Sequence, residues 1–230
     1  MAEVTADPPR WRAGLDVITS VVLIVAALSL IIPRLGLGEP EPPIVVPSAP
    51  IALDGTARLG DPAAPVAMVV FSDFECPFCA DFANDILPIL REAYIDTRLV
   101  QLSFRHRPLT SVHSVALRAA HASACAHEQG HFWKFHDQLF TLPGRLDDEA
   151  LTTIAHRSLL DQTLYAGCLK AVPTAVALDM ELAERLKIHG TPAFLFGRVR
   201  ESAVRVSAVM AGIAAVERYR QRLDELLAAK

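Results

Sequence analysis

The pair Cys76 and Cys79, within the tetrapeptide CPFC, is the part of this sequence with the clearest capacity for chemistry. The pair follows the mostly apolar run VAMVVFS at 66–72, which predicts a buried strand. It also opens a segment, 76–94, in which apolar residues recur at helical spacing. Two cysteines three positions apart at a strand-to-helix junction are typical of a redox-active dithiol.

A helix that starts at this pair gives a physical reason for the redox chemistry. The first turn of a helix has unpaired backbone N–H groups and the positive end of the helix dipole, and both stabilise a thiolate. We therefore predict that Cys76 is the nucleophile and that Cys79, one turn further in, is the shielded resolving thiol. Pro77 supports this helix start, since a proline suits the first helical position.

Zinc binding is the alternative use of the two cysteines, because a CxxC also supplies two thiolate ligands. The sequence has no second CxxC, but single cysteines remain at Cys125 and Cys168. His121 and Cys125 are spaced i, i+4, so a metal site with mixed cysteine and histidine ligands remains an alternative.

Six of the eight histidines lie within 106–136, and we interpret them as solvated or capping residues. Zinc would not explain Pro77 or the strand-to-helix setting, so we predict no metal site.

The elements around the cysteine pair predict an α/β fold. The alternating run RLVQLSF at 98–104 predicts a strand, which completes a strand–helix–strand unit with a parallel pair. From 111 to 186 the pattern predicts several short helices, with breaks at glycine and proline. The final elements are two strands at 192–196 and 204–209 and a helix at 214–227.

Length and composition restrict the class of protein. The 230 residues predict one to two domains with a sizeable core. A hydrophobic content of 52% with 21% charged residues excludes a disordered chain. The net charge is −4 and there is no basic run, so we expect no nucleic-acid partner.

The N-terminal region predicts attachment to a membrane. The 17 uncharged residues at 17–33 reach the lower limit of a membrane-spanning length, and we predict an anchor at 17–35. Two arginines precede this run and one follows it closely, which places the tail 1–16 in the cytoplasm. A cleaved signal peptide is the alternative, and either interpretation exports the remainder.

Six prolines between Pro33 and Pro50 predict an extended, semi-rigid spacer after the anchor. We assign this Pro-rich linker to 36–55, with a short strand at 51–53 near its end.

Three segments together resemble a known family. FSDFECPFC at 71–79 resembles the active-site segment of the DsbA family of thioredoxin-fold disulfide oxidoreductases, especially its membrane-anchored bacterial members. Residues 124–140 resemble the family's inserted helical domain, and GTPAF at 190–194 resembles its cis-proline loop. The resemblance implies a thioredoxin fold, βαβ plus ββα, with an inserted helical domain and one preceding transmembrane helix.

This family fold assigns domains and further site residues. The thioredoxin-fold domain would comprise 56–104 and 180–230, with the helical insertion at 105–179. A cis Thr191–Pro192 bond would face the cysteine pair, and the Thr191 backbone could pair with an extended substrate strand. We expect Phe74, Phe78 and the proline loop to form an apolar surface that binds unfolded chains.

Cys125 and Cys168 are the two cysteines outside the CPFC tetrapeptide. Leftover cysteines in an oxidising compartment usually pair, and some relatives have a second disulfide in the helical domain. We therefore expect a structural Cys125–Cys168 disulfide, with two buried free thiols as the alternative.

The resemblance implies an oxidase that introduces disulfides into reduced, exported proteins. It further implies re-oxidation by a quinone-linked membrane thiol oxidase, with no bound organic cofactor. The protein would be a single-pass protein of the inner (cytoplasmic) membrane with its catalytic domain on the periplasmic side.

Two departures from the family pattern leave the direction of electron flow open. Phe78 replaces the histidine of strong oxidants and cannot donate a hydrogen bond or charge to the thiolate. Val70 stands where relatives often carry a buried acid, so water or Glu75 would carry the proton. A disulfide reductase or isomerase on the same fold is therefore an alternative function. A membrane-tethered metal-binding or chaperone-like module, with the cysteines and histidines as ligands, is an alternative of another class.

Overall fold

The structure, a computed structural model, describes residues 43–142 and 146–229. The predicted cytoplasmic tail, the predicted anchor at 17–35 and the first part of the Pro-rich linker lie outside these residues. Within them, no helix combines the length and the apolar character that crossing a membrane requires.

Six strands and seven helices are considered below. The strands are β1 (Ile51–Ala52), β2 (Ala57–Leu59), β3 (Val66–Ser72), β4 (Val100–His106), β5 (Ala193–Arg200) and β6 (Ala203–Ala211). Helix α1 runs through four consecutive segments, Pro77–Asp81, Phe82–Ile86, Leu87–Leu90 and Arg91–Ile95, of which the second and fourth are π-helical. The other helices are α2 (Ala116–Glu128), α3 (Phe132–Phe140), α4 (Asp148–Arg157), α5 (Gln162–Ala171), α6 (Thr174–Arg185) and α7 (Val216–Ala228).

The six strands form one sheet in the order β1-β6-β5-β3-β4-β2. Strands β3 and β4 are parallel and are connected through α1, which is the predicted βαβ unit. Strands β5 and β6 are antiparallel and lead into α7, which is the predicted ββα unit. The predicted thioredoxin-like α/β fold with a helical insert is confirmed.

The central strand β3 is buried on both faces, which explains its continuous apolar sequence. Val66, Met68 and Val70 pack in the cluster that contains α1, α3 and α7. The intervening side chains pack on the opposite face, together with residues of α6 such as Ala183. Because helices cover both faces, the end of β3 is fixed between two layers, and the cysteine pair follows directly.

The predicted bounds match the structure for β3, whereas β1, β4, β5 and β6 differ from their predicted bounds by one to four residues. Strand β3 has the bounds predicted for it, whereas β4 begins at Val100 rather than at residue 98. Arg98 has a φ of +64° and its backbone N–H donates to the Ile95 carbonyl, so it belongs to the turn that ends α1. The alternation of apolar residues could not reveal this backbone conformation.

Part of the predicted linker belongs to the sheet. Ile51–Ala52 pairs with β6, and Val45 donates its backbone N–H to the Leu186 carbonyl at 2.9 Å. The segment thus follows the domain surface before it enters the sheet edge.

Helices α2 to α5 lie between β4 and α6 in the chain and are joined by a disulfide. Cys125 on α2 and Cys168 on α5 are bonded at 2.00 Å, across a sequence separation of 43. Gly130, with a φ of +75°, separates α2 from α3. The side chain of Asp161 caps the start of α5 by accepting hydrogen bonds from two backbone N–H groups.

We predict that replacing both Cys125 and Cys168 with alanine destabilises the fold. A cross-link across 43 positions restricts the unfolded chain, and its loss should lower the free energy of unfolding by about 3 to 4 kcal/mol. Urea unfolding of the parent and the double variant, each with Cys76 and Cys79 reduced, measures the difference. Equal unfolding midpoints would contradict the prediction.

Candidate active site

Cys76 occupies the N-cap position of α1, and Pro77 is the first helical residue. The Cys76 carbonyl accepts hydrogen bonds from the backbone N–H groups of Cys79 and Ala80, each at 3.1 Å. The first-turn N–H groups of Phe78 and Cys79 also point toward the Cys76 sulfur. The predicted helix start therefore has the geometry that stabilises a thiolate.

The surroundings of Cys76 lower the pKa of its thiol to about 6. The largest contribution is the side chain of Cys79, which hydrogen-bonds to the Cys76 sulfur. Burial acts in the opposite direction, but Thr191 and the backbone N–H groups of Cys79 and Phe78 add to the lowering. These contacts therefore favour the thiolate form of Cys76 at neutral pH.

Cys79 has the opposite chemical character. Only 1% of the residue is exposed, against 5% for Cys76, and burial raises the pKa of its thiol well above the usual range. The hydrogen bond and the charge of Cys76 raise it further. The pair therefore consists of one cysteine whose thiolate is favoured and one more deeply buried thiol that keeps its proton, and neither forms a disulfide.

Thr191 and Pro192 face the pair from the loop before β5. The Thr191–Pro192 bond is cis, and the Thr191 carbonyl oxygen lies 3.3 Å from the Cys76 sulfur, across 115 positions of sequence. The Pro192 carbonyl accepts from the Gly212 N–H at 2.8 Å, so the end of β6 holds the loop in place. The fold thus brings the predicted site residues Thr191 and Pro192 next to Cys76, although they are distant from it in sequence.

The two phenylalanines predicted to contact substrate differ in their surroundings. Phe78 is 55% exposed and lies beside the pair. Phe74 is only 2% exposed, and its ring packs 5.3 Å from Phe104 and 5.1 Å from Phe140. The prediction that Phe74 contributes to the apolar binding surface was therefore wrong. Its ring fills the core between the sheet and α3 instead.

A carboxylate and an imidazole that we did not predict lie at the same end of the sheet. The Asp73 side chain is fully buried, and its Oδ2 lies 2.8 Å from Nδ1 of His113. Partial burial disfavours a charged His113, but the hydrogen bond and charge of Asp73 outweigh it and raise the pKa of His113. The one sequence feature that could have indicated this pair is Asp73 itself, an acidic residue three positions before Cys76.

The interpretation of the histidines as solvated or capping was wrong for two of them. His106 and His136 are buried among the aromatic rings of the core. Burial lowers the pKa of both imidazoles, and that of His106 falls to about 3 with a smaller effect from His127, His121 and Arg105. Both are therefore neutral core residues.

The alternative zinc site on His121 and Cys125 has lost a ligand, because the Cys125 sulfur is bonded to Cys168. Across 43–142 and 146–229, no three or more histidine, cysteine, aspartate or glutamate side chains are grouped closely enough to hold a metal ion.

We predict that alkylation of Cys76 in the reduced protein follows a titration with a midpoint at about pH 6. Below this pH the thiolate is protonated, so the rate should fall about tenfold per pH unit, whereas above it the rate should level off. Iodoacetamide labelling followed by peptide mass spectrometry checks this, with Cys79 as the internal control that stays unlabelled. A Cys76 midpoint between pH 8 and 9, near that of a free thiol, would contradict it.

Residues 53–213 of this chain match the model of the Thioredoxin family. The Na(+)/H(+) antiporter NhaA 3 of Salinispora tropica is 34% identical over 167 residues, covering 71% of this chain and 25% of the antiporter. The probable disulfide bond formation protein D of Bacillus anthracis is 32% identical over 143 residues, covering 58% of this chain and 66% of that protein. The chain thus spans about a quarter of the antiporter and about two thirds of the Bacillus protein.

Among solved structures, alpha-DsbA1 of Wolbachia pipientis is similar, with a TM-score of 0.65 and 26% identity. The match covers 77% of this chain and 93% of that protein. The family match extends over more than half of the chain and includes both the cysteine pair and the cis-proline loop. The chain therefore belongs to the thioredoxin family, and its predicted resemblance to the DsbA-like disulfide oxidoreductases is confirmed.

Proposed function

We propose that this chain is a thiol:disulfide oxidoreductase that introduces disulfides into exported proteins through Cys76 and Cys79. The observation that carries this proposal is the difference in acidity between the two thiols. The pKa of Cys76 is lowered to about 6, whereas that of Cys79 is raised well above its usual range. The relatives named for disulfide bond formation support it.

The reaction begins with the Cys76–Cys79 disulfide. A substrate thiolate attacks the Cys76 sulfur, a mixed disulfide forms, and the Cys79 sulfur leaves with the electron pair of the broken bond. Because burial disfavours a charged Cys79, this sulfur takes up a proton. A second substrate thiolate then attacks the substrate sulfur of the mixed disulfide and releases Cys76 as a thiolate. The substrate loses two electrons and the enzyme gains them.

Substrate recognition would use the exposed apolar side chains beside the pair. Phe78 is 55% exposed, and Ile213, which follows the Gly212 contact to Pro192, is 37% exposed. An extended substrate segment could pair with the Thr191 backbone between them. Such contacts depend on the backbone and on general hydrophobicity, so they suit unfolded chains of varied sequence.

The acidity of Cys76 favours the oxidase over the reductase or isomerase alternative. A stabilised thiolate stabilises the reduced enzyme and so makes the disulfide more oxidising. Phe78, which lacks a donor, remains the feature that favours the reductase. The metal-binding alternative has no grouping of ligands in the described residues to support it.

The cellular setting is also part of the proposal. The anchor at 17–35 would hold the domain on the extracytoplasmic side of the inner membrane, and a quinone-linked membrane thiol oxidase would re-oxidise it, without an organic cofactor in this chain. Because the antiporter match covers a quarter of that protein, its name supports no transport activity here.

We predict different results for Cys76→Ser and Cys79→Ser. Cys76→Ser should abolish oxidation of a reduced dithiol peptide, because the attacked sulfur is missing. Cys79→Ser should also fail to turn over, but when it is offered a disulfide-bonded peptide, its Cys76 thiolate should attack that disulfide, release one peptide thiolate and stay in a mixed disulfide, since the resolving thiol is absent. Non-reducing gels and mass spectrometry detect the adducts. Equal behaviour of the two variants would refute the assigned roles.

We further predict that the Cys76–Cys79 couple is more oxidising than thioredoxin. Equilibration of the full chain with glutathione buffers should give a potential above about −200 mV, because the Cys76 thiolate is stabilised. The variant with alanine at both Cys125 and Cys168 is the control. It should give the same potential, because the measured couple is then the Cys76–Cys79 pair alone. A potential near the −270 mV of thioredoxin would favour the reductase instead.

A further inference from the structure

The Asp73 carboxylate organises the surroundings of the cysteine pair. Its Oδ1 accepts a hydrogen bond from the Glu75 N–H at 2.8 Å. Its Oδ2 accepts from the Leu109 N–H at 2.7 Å and contacts His113 Nδ1 at 2.8 Å. Since a carboxylate only accepts, Nδ1 of His113 is the donor in this pair. Asp73 thus fixes the ring of His113 and leaves Nε2 as the titrating nitrogen.

Two further hydrogen bonds hold the loop that carries His113, residues 107–115, against the start of α1. The Val115 N–H donates to the Glu75 carboxylate at 2.6 Å, and the Arg107 N–H donates to the Ser72 carbonyl at 2.9 Å. The Cys76 N–H donates to the Asp73 carbonyl at 3.1 Å. His113 and Cys76 are therefore both bonded to the same residue, Asp73.

The charges around His113 favour its imidazolium form. Asp73 contributes most to this, and the Cys76 thiolate and the Glu75 carboxylate add to it, so that together they raise the pKa of His113. By reciprocity, an imidazolium at His113 favours the thiolate form of Cys76, in addition to the contacts with Cys79, Thr191 and the first-turn N–H groups that lower its pKa.

The basic side chains that flank this loop are paired elsewhere. Arg107 forms an ion pair with Glu184 on α6 at 2.8 Å. Arg118 forms one with Asp148 on α4, also at 2.8 Å. On the other side of the cysteines, the cis-proline loop carries the exposed His189. Among the residues that the structure describes, His113 is thus the basic side chain held next to the start of α1.

We propose that His113, held by Asp73, is a positioning residue that supplies to the Cys76 thiolate the positive charge that Phe78 cannot supply. The inference deepens the proposed oxidoreductase function and rests on it. The charge reaches the thiolate from the loop after β4 rather than from within the CPFC tetrapeptide. We therefore expect the stability of the Cys76 thiolate to depend on the protonation of His113.

The pH dependence follows from the two groups. Below about pH 6 Cys76 is protonated, and above the raised pKa of His113 the imidazole is neutral. The ion pair is therefore most populated between these values. As the pH rises through the His113 pKa, the extra stabilisation of the thiolate is lost, and the disulfide becomes correspondingly less oxidising.

His113→Gln tests this proposal, with His156→Gln on the exposed face of α4 as the matched control. Thiolate absorbance of the reduced full chain reports Cys76, because Cys79 titrates far above this range. We expect His113→Gln to raise the Cys76 midpoint by about half to one pH unit, which is roughly three- to tenfold in acidity. The equilibrium constant for oxidation of glutathione should fall by a similar factor, whereas His156→Gln should match the parent.

His113→Arg separates charge from structure. Arginine keeps a donor for Asp73 and a permanent charge, so the Cys76 midpoint should stay near that of the parent, while the change in potential around the His113 pKa should disappear. The inference is overturned if His113→Gln titrates like the parent, or if His113→Arg behaves like His113→Gln. Failure of the proposed function is distinct, since the parent chain would then not oxidise a dithiol peptide at all.

Discussion

The stabilisation of one sulfur anion at the start of a helix is the interaction on which the chemistry of this protein depends. Cys76 lies at the N-cap of α1, where the Cys79 side chain and first-turn N–H groups lower its pKa to about 6. Cys79, one turn away, is buried and keeps its proton. A disulfide between two such sulfurs would break in a defined direction, because the less buried sulfur would be attacked and the more buried one would leave.

The thioredoxin fold supplies this arrangement because three loops meet at one end of the sheet. The cysteine pair follows β3, the loop with His113 follows the parallel neighbour β4, and the cis-proline loop precedes the antiparallel neighbour β5. Each loop is held by backbone hydrogen bonds, such as Gly212 to Pro192 and Arg107 to Ser72. Rigid strands therefore position groups that lie more than a hundred residues apart.

A buried ion pair and an aromatic cluster connect the sheet to the surrounding helices. Arg105 on β4 contacts Asp179 on α6 at 2.7 Å, and both side chains are mostly buried. On the other face, neutral His106 and His136 pack among phenylalanine rings. These histidines show why a polar residue type is a poor guide to exposure. A neutral imidazole packs against aromatic rings like another ring, and only the tertiary structure reveals the enclosure that keeps it neutral.

The sequence alone determined the strand β3, the helix that starts at Pro77, the βαβ and ββα order and the position of the candidate cysteine pair, because periodicity and the CxxC junction are local signals. Tertiary structure decided which groups meet at that pair. Asp73 and His113 are forty positions apart, and Thr191 lies 115 positions from Cys76. It also decided that Phe74 is interior and that Phe78 is exposed. Contacts and burial depend on how distant segments pack, and no local pattern of residues carries that information.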